Sequence, residues 1–438
     1  MTVSNILFII LLIAGTALFT FNVKKIIRNI RLGKDLDRSD NPAARWKLMF
    51  KVALGQSKMV VRPVAGIMHI LVYVGFIIIN IEVIEIIIDG VAGTHRILFS
   101  ILGPLYNILI FSFEYLALGV IIGCAVFLIR RNIIRLKRFT SKDLNGFPRS
   151  DANIILISEI LLMTAFLTMN CTDNIMQGRG VEHYIQAGAF PISSFLTSIF
   201  ATTSTNGLIT IERSAWWFHI IGIMAFLNYI PYSKHFHILL AFPNVYYSNL
   251  NAKGKFNNMP SVTNEVKLTL DPSAVPMVGI SNPVHEKFGA KDITDLTWKN
   301  LMDAYSCTEC GRCTSVCPAN QTGKILSPRK IMMDTRDRLV EVGQGIDKNG
   351  KDFTDNKSLL NDYITPEELW ACTTCNACVD ACPVNIDPLN IIIELRRFLV
   401  MEQSSAPSEL NSMFTNIENN QAPWQFSPAD RLNWAKEE

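Results

Sequence analysis

Five stretches of the chain stay apolar for longer than a globular core requires, and all lie before residue 243. Ile6 to Val23, Pro63 to Ile88, Ile97 to Ile129, Ala152 to Met169 and Ala215 to Ala241 each hold enough near-continuous hydrophobic positions to cross a bilayer as a helix. The first stretch is followed at once by Lys24, Lys25, Arg28, Arg31 and Lys34, the reverse of a signal peptide's charge order, so it reads as an anchor with its N-terminus outside. The third ends in Arg130, Arg131, Arg135, Lys137 and Arg138. Five crossings from an outside start place the C-terminus inside, and the basic loops 24–62 and 130–149 agree with that orientation independently. Arg38 to Arg62, with Trp46 among its apolar residues, reads as a stretch lying on the cytoplasmic surface. Residues 172–214 form a long outer loop whose Phe190 to Thr210 stretch is either re-entrant or packed on the outer face.

Beyond Pro243 the pattern turns polar. Residues 244–289 read as an extended cytoplasmic linker, and short helical patterns follow at Asp295 to Tyr305, Pro328 to Val342, Glu367 to Ala371 and Ile391 to Glu402. The Gly, Asp and Asn cluster from Gly343 to Asp355 is expected to break the second from the third. The expected fold is all-α: a five-helix transmembrane bundle (1–243), the linker (244–289), a cytoplasmic α-helical domain (290–403) and a tail (404–438). That tail, with Trp424, Arg431 and Trp434 but no periodicity, reads as an interaction segment or a plain disordered end.

Composition adds little except by exclusion. The net charge of +3 over 438 residues is gathered in short clusters beside apolar segments, not on one basic face, so nucleic acid is a poor partner. Membrane lipid is the partner the pattern calls for.

The chemistry lies in the polar half. Cys307, Cys310, Cys313, Cys317 and Pro318 spell C-x2-C-x2-C-x3-C-P, and Cys372, Cys375, Cys378, Cys382 and Pro383 spell it again. In this run three close thiolates serve one iron-sulfur cubane while the fourth ligates the other cluster. Two [4Fe-4S] clusters are therefore expected, one on Cys307, Cys310, Cys313 and Cys382, the other on Cys372, Cys375, Cys378 and Cys317. Zinc is disfavoured because each run crowds four cysteines into eleven residues and ends in proline. Disulfides are disfavoured because the topology puts this half in a reducing compartment. Cys124 and Cys171 lie in or beside apolar runs and read as small core residues.

Within the apolar half, His219 and His237 are eighteen residues apart, five helical turns, so a continuous helix would set them on one face about 27 Å apart. By depth His69 should meet His237 as the bis-histidine pair of a b-type haem near the inner face, and His95 is the one candidate partner for His219 at the outer face. The competing reading makes these histidines interfacial residues at helix ends, and that reading is preferred for His235. His183 and His285 read as loop residues. Glu82, Glu85 and Asp89 fall on one face of the second stretch, and Glu114 lies mid-way along the third. Carboxylates at that depth read either as a proton path to a quinone, with Glu82 and Glu114 foremost, or as a structural polar seam.

The quartets and their spacing resemble the C subunit of heterodisulfide reductase and the helical ferredoxin domains of related membrane oxidoreductases, including the electron-transfer-flavoprotein:menaquinone oxidoreductases. The five-stretch half resembles the gamma subunit of respiratory nitrate reductase, with His219, His237 and His69 at matching places but no second histidine on the second stretch. Asn419 to Trp434 is similar to the segment that leads, in such oxidoreductases, toward cysteine-rich CCG domains, and no CCG motif occurs here. The resemblance implies an oxidoreductase subunit of the cytoplasmic membrane. It also implies haem b and menaquinone as cofactors, with a CCG-domain iron-sulfur subunit and an electron-transfer flavoprotein as partners. A membrane subunit of a thiol/disulfide reductase and a haem-free anchor for the ferredoxin domain are the alternatives.

Overall fold

The computed structural model describes residues 2–271 and 287–436. Among them the chain is helical, with two isolated β-bridges and no strand. Most of the linker's second half, residues 272–286 with His285, lies outside the described residues.

The apolar stretches fold as helices because, away from water, a helix pairs its own backbone groups. They are α1 (Val3–Ile30), then α2 (Pro42–Met49) on the surface, α3 (Pro63–Ala92), α4 (Ile97–Leu102), α5 (Leu105–Leu128), α6 (Phe147–Gly178), the short α7 (Thr197–Phe200), α8 (Thr205–Tyr229) and α9 (His237–Tyr246). Among the described residues four helices are long and apolar enough to cross a membrane: α1, α3, α5 with its continuation to Ile133, and α6. Helix α8 packs against α6 and α1. Its Glu212, Arg213, His219 and Asn228 make it more polar than those four. Close approach rests on glycines: a Cβ on Gly75 would overlap Val120, and one on Gly222 would overlap Leu162.

Two expected stretches are broken. The third is interrupted at Gly103, whose φ of +53° no continuing helix adopts, followed by Pro104, so α4 and α5 are separate. The fifth starts at Thr205, capped by Ser204, and ends at Tyr229. Pro231 follows, and Ser233 caps a new turn by accepting from the His235 N–H at 3.0 Å, which leads into α9. His219 and His237 therefore sit on different helices. The five-turn register inferred from sequence does not exist.

The polar half continues with α10 (Pro260–Leu270), α11 (Trp298–Ser306), α12 (Arg312–Val316), α13 (Pro318–Gln321), α14 (Pro328–Asn349), α15 (Leu359–Asp362), α16 (Pro366–Trp370), α17 (Ala377–Ala381), α18 (Pro388–Met401) and α19 (Ser408–Asn420). Helix α10 stands where the linker was expected to be extended, and α19 where the tail showed no period. Helix α14 runs through the expected break, since Gly343 and Gly345 act as packing surfaces: a Cβ on either would overlap Asn29 or Phe353.

The core is continuous across residue 243. Ile26, Ile230 and Phe236 pack in one cluster with Leu301, Ile331 and Leu339. Lys34 N–H donates to Leu296 at 2.8 Å and Trp298 N–H to Lys34 at 3.0 Å, so the last turns of α1 are bonded into the cysteine-bearing half. The basic loops expected on the inner side meet that half as well: Arg329 forks onto Asp143.

Candidate functional site

The two quartet loops repeat one backbone. Glu309 and Gly311 have φ of +54° and +69°, and Thr374 and Asn376, at the same offsets, have +55° and +61°. These left-handed residues let a short loop curl its amides inward. Thr374 N–H lies 3.4 Å from Cys372 Sγ, and Ile386 N–H 3.3 Å from Cys382 Sγ. Each loop runs into a one-turn helix, α12 or α17, closed by Cys317 or Cys382 with φ of −71° in both. The two short helices pack on each other.

That packing sorts the thiols. Cys313 lies in electrostatic reach of Cys310, Cys307 and Cys382 and, more weakly, of Cys378, which itself is in reach of Cys372 and Cys317. Among the described residues no three ligating side chains converge on a single ion. A cubane offers a separate iron to each thiolate, so its ligands need not crowd one point. Burial pushes the thiols of Cys307, Cys378 and Cys382 up to about 12, so at neutral pH each gives up its proton only in exchange for a metal. The donor set and its spacing fit an iron-sulfur cluster at each grouping.

The groupings face different ways. Around Cys307, Cys310, Cys313 and Cys382 the segment between α2 and α3 closes in. Arg312 donates to the Lys58 carbonyl at 2.6 Å, Lys58 to the Cys382 carbonyl at 3.1 Å, and Arg62 to Ser315 at 2.8 Å. Arg138, from the basic loop after α5, lies in reach of Cys310. In the second loop Cys375 is exposed, and Arg396 braces that loop by donating to the Cys372 carbonyl at 2.5 Å.

Just inside the membrane end, His69, His235 and His237 gather. His69 is in electrostatic reach of His237 and Arg312, and the His235 and His237 rings are 5.5 Å apart. His237 Nδ1 lies 3.1 Å from the Lys234 carbonyl, which leaves Nε2 free, the arrangement expected of a histidine oriented to ligate. His69 Nδ1 and His235 Nε2 are buried without a hydrogen-bond partner among the described residues. His235 is thus turned inward, against the expectation that it snorkels to water. Midway along α8 His219 is buried, its Nδ1 3.0 Å from the Leu162 carbonyl. His95 keeps other company: Asp173 at 3.5 Å, with the rings of His183 and Tyr184 each 5.2 Å away. His183 is therefore part of a polar cluster, not a plain loop residue.

The carboxylates divide. Glu114 accepts from Ile192 N–H at 2.8 Å, Ser193 N–H at 3.0 Å, Asn170 at 3.2 Å and the Ser193 hydroxyl, so it staples the segment between α6 and α7. Glu85 accepts from Tyr106 at 2.8 Å and Leu98 N–H at 2.9 Å, and Asp89 caps the turn to α4 through Arg96 N–H at 2.7 Å. Glu82 stands apart: buried, one oxygen without a partner among the described residues, on a cavity of about 300 Å³ shared with His95, Asp173 and His183. Further ionisable groups escaped sequence reasoning as members of the site. Glu159 sits within α6, a signal present in the sequence and passed over. Lys234 bonds to the buried Glu309 inside the first quartet loop, and Asp151 lies 3.8 Å beyond. Arg336 holds the other side of Glu309 at 2.8 Å. Only the fold brings these together.

The 4Fe-4S dicluster domain family matches residues 306–386, the whole of both quartets. The chain carries a 4Fe-4S dicluster domain. Around that domain the likeness extends further: the chain is 30% identical to the probable iron-sulfur-binding oxidoreductase FadF of Bacillus subtilis, over 99% of this chain and 61% of that one. It is 28% identical to the EtfAB:quinone oxidoreductase of Syntrophomonas wolfei, over 99% of this chain and 59% of that one. The dicluster region is 36% identical to the C subunit of a CoB-CoM heterodisulfide reductase of Methanosarcina acetivorans, over 24% of this chain and 52% of that one. The chain spans about three fifths of the length of the first two relatives. No solved structure matches it significantly. The resemblance read from the quartets agrees with these relatives, and the expectation of an oxidoreductase subunit agrees with their names.

Proposed function

We propose that this chain is a membrane-bound electron-transfer subunit linking a cytosolic partner to the quinone pool, with menaquinone as the quinone. One observation carries the reading: the quartets lie between an exposed edge at Cys375 and the buried histidines at the membrane end of α3 and α9. Iron-sulfur clusters supply one-electron transfer when bound. The residues that would hold them are Cys307, Cys310, Cys313 and Cys382 for the membrane-facing cluster and Cys372, Cys375, Cys378 and Cys317 for the other. The proximity of Cys382 to Cys313 and of Cys317 to Cys378 supports this crossed assignment.

In this reading α8 crosses the membrane together with α1, α3, α5 and α6, with the dicluster domain in the cytoplasm and the N-terminus outside. The basic residues clustered at the domain's end of the bundle support that orientation. His69 and His237 would hold a haem b. Its support is the unpartnered His69 and the carbonyl-oriented His237. The separate neighbours of His95 and His219 give a second haem no comparable support. Glu82 remains the proton-path candidate, and Glu114, fully bonded, fits the polar-seam reading instead. The exposed Cys375 edge suits a partner, such as a CCG-domain iron-sulfur subunit or an electron-transfer flavoprotein. A quinone-linked relative named for EtfAB favours this over a disulfide-reductase subunit.

The test is a pyridine haemochrome and EPR analysis of the full-length chain purified anaerobically. We expect a b-type haemochrome that His237→Ala abolishes, together with two reducible iron-sulfur signals. Absence of the iron-sulfur signals removes the proposal, and absence of haem alone leaves the anchor reading.

A further inference from the structure

We propose that the quinone ring binds in the inner cavity between α1, α11 and the turn after α8, an assignment that rests on the quinone-linked reading above. The cavity holds about 540 Å³, room for a substituted bicyclic ring. Its wall includes Asn22 and Asn29 of α1, Tyr232, Lys234, Tyr305 and Arg336.

Four features of this cavity suit a lipid-soluble ring with two opposed carbonyls. First, it lies where membrane and cytosol meet: Asn22 directly precedes the basic run from Lys24, and the exposed rings of Tyr232 and Phe147 border it. An apolar tail leaves along those rings into the bilayer. Second, it offers two unengaged donors. Tyr305 accepts from Asn29 at 2.9 Å, and its own proton meets no acceptor among the described residues. Asn22 accepts from Tyr232 at 2.9 Å through its carbonyl, and its amide nitrogen has no acceptor among them.

Third, the positions that carry the donors match the span of such a ring. Asn22 and Asn29 are two turns apart on one face, roughly 10 Å along the axis, and Tyr305 is bonded to Asn29. Para carbonyl oxygens stand roughly 5 Å apart, and a donor about 2.8 Å beyond each gives a span on the order of 11 Å. Fourth, the first quartet loop forms part of the wall. Tyr305 precedes Cys307 by two residues, and Glu309 lies between Cys307 and Cys310.

The outer cavity is the poorer host. It is smaller, at about 300 Å³, and is lined by Glu82, Glu85, Asp89, Asp173 and Glu212 at the end of the bundle remote from the cysteines. The outer cavity also carries Arg96 and Arg213, and the inner one Asp151, Glu309, Asp337 and Asp347, so size, the unengaged donors and nearness to the first quartet, not charge, separate the two. Reduction converts the quinone to the quinol with two electrons from the iron-sulfur side and two protons from cytosolic water at the cavity mouth. Oxidation runs the same balance in reverse.

The test is a fluorescence-quenching titration of 2-heptyl-4-hydroxyquinoline N-oxide, a quinol mimic, against the full-length chain in native membranes. Iron-sulfur EPR of each variant serves as the folding control. We expect Tyr305→Phe and Asn22→Leu each to weaken binding at least tenfold with the EPR signals retained, and His183→Ala, on the outer cavity, to leave it within twofold. Should Tyr305→Phe disturb the EPR signals, Asn22→Leu, on α1, decides. Unchanged affinity in Asn22→Leu, or loss confined to His183→Ala, overturns the inner site while leaving the quinone reading intact. A wild-type chain that binds no mimic overturns the quinone reading and the site with it.

Discussion

Arg329 tests how the dicluster domain is joined to the membrane half. It is 1% exposed and forks onto Asp143 at 2.9 and 2.7 Å, donates to the Arg138 carbonyl at 2.7 Å, and also bonds Ser141. Asp143, Arg138 and Ser141 belong to the basic loop between α5 and α6, so one side chain fixes that loop against the start of α14. Removing one partner of a buried, hydrogen-bonded pair costs about 3–5 kcal/mol. Ser141 and Ser327 still serve Asp143 in the variant, so Arg329→Met belongs at the lower end. About 3 kcal/mol is roughly a hundredfold in the undocked population. The loop offers trypsin Arg130, Arg131, Arg135, Lys137, Arg138 and Lys142. When reclosing is fast, cleavage follows that population. Limited trypsinolysis of inside-out vesicles should therefore show cleavage between residues 130 and 142 on the order of a hundredfold faster in Arg329→Met. A rate within threefold of wild type, with the iron-sulfur EPR unchanged, would refute the reasoning.

Other expectations follow from neighbouring geometry. Burial opposes ionisation of Asp143, but its bonds from Arg329, Ser141 and Ser327 outweigh it and hold the carboxyl below its ordinary 3.8. A depressed carboxyl stabilises above the unfolded pKa and loses that contribution as pH falls through the folded one, so docking should loosen below about pH 4 in wild type and show no such acid step in Asp143→Asn, read by pepsin cleavage of the same loop at Leu136 or Phe139. Gly311→Val puts a β-branched residue at φ +69° against Arg329, and EPR should show loss of the membrane-facing cluster with the other retained. Gly343→Leu drives a side chain into Asn29, and overpacking of about 1–3 kcal/mol should lower the thermal midpoint of the detergent-solubilised protein. With protons entering at the inner cavity mouth, Glu82→Gln should leave quinone-dependent turnover within twofold, and slowed turnover with EPR unchanged would return Glu82 to the proton path, while Glu114→Gln should cost stability, because Glu114 holds Ile192 and Ser193.

The parts of the fold legible in the sequence were those fixed by local pattern. Four membrane helices announce themselves by length and apolarity, and the quartets by spacing alone, since C-x2-C-x2-C-x3-C-P needs no tertiary context to be read. What misled was continuity. Pro231 and Gly103 end helices that hydropathy carries straight through, and the His219–His237 register failed with the first of them. Gly343 and Gly345 erred the other way, read as breakers where neighbours need their bare surfaces. The Asp151–Lys234–Glu309–Arg336 chain was invisible because its members come from four separate segments, and their meaning lies in burial together. Glu82 and Glu114 looked alike in sequence. Only the partners at each oxygen separate them.

The most direct measurement is iron, sulfide and EPR analysis of the full-length chain prepared anaerobically, beside Cys317→Ser. We expect about eight non-haem iron and eight sulfide per chain in wild type. In Cys317→Ser the perturbed signal should be that of the cluster on Cys372, Cys375 and Cys378, identified by a matching change in Cys375→Ser. Bound zinc, no iron, or a Cys317→Ser lesion matching Cys310→Ser instead would contradict the crossed two-cluster site on which the electron route depends.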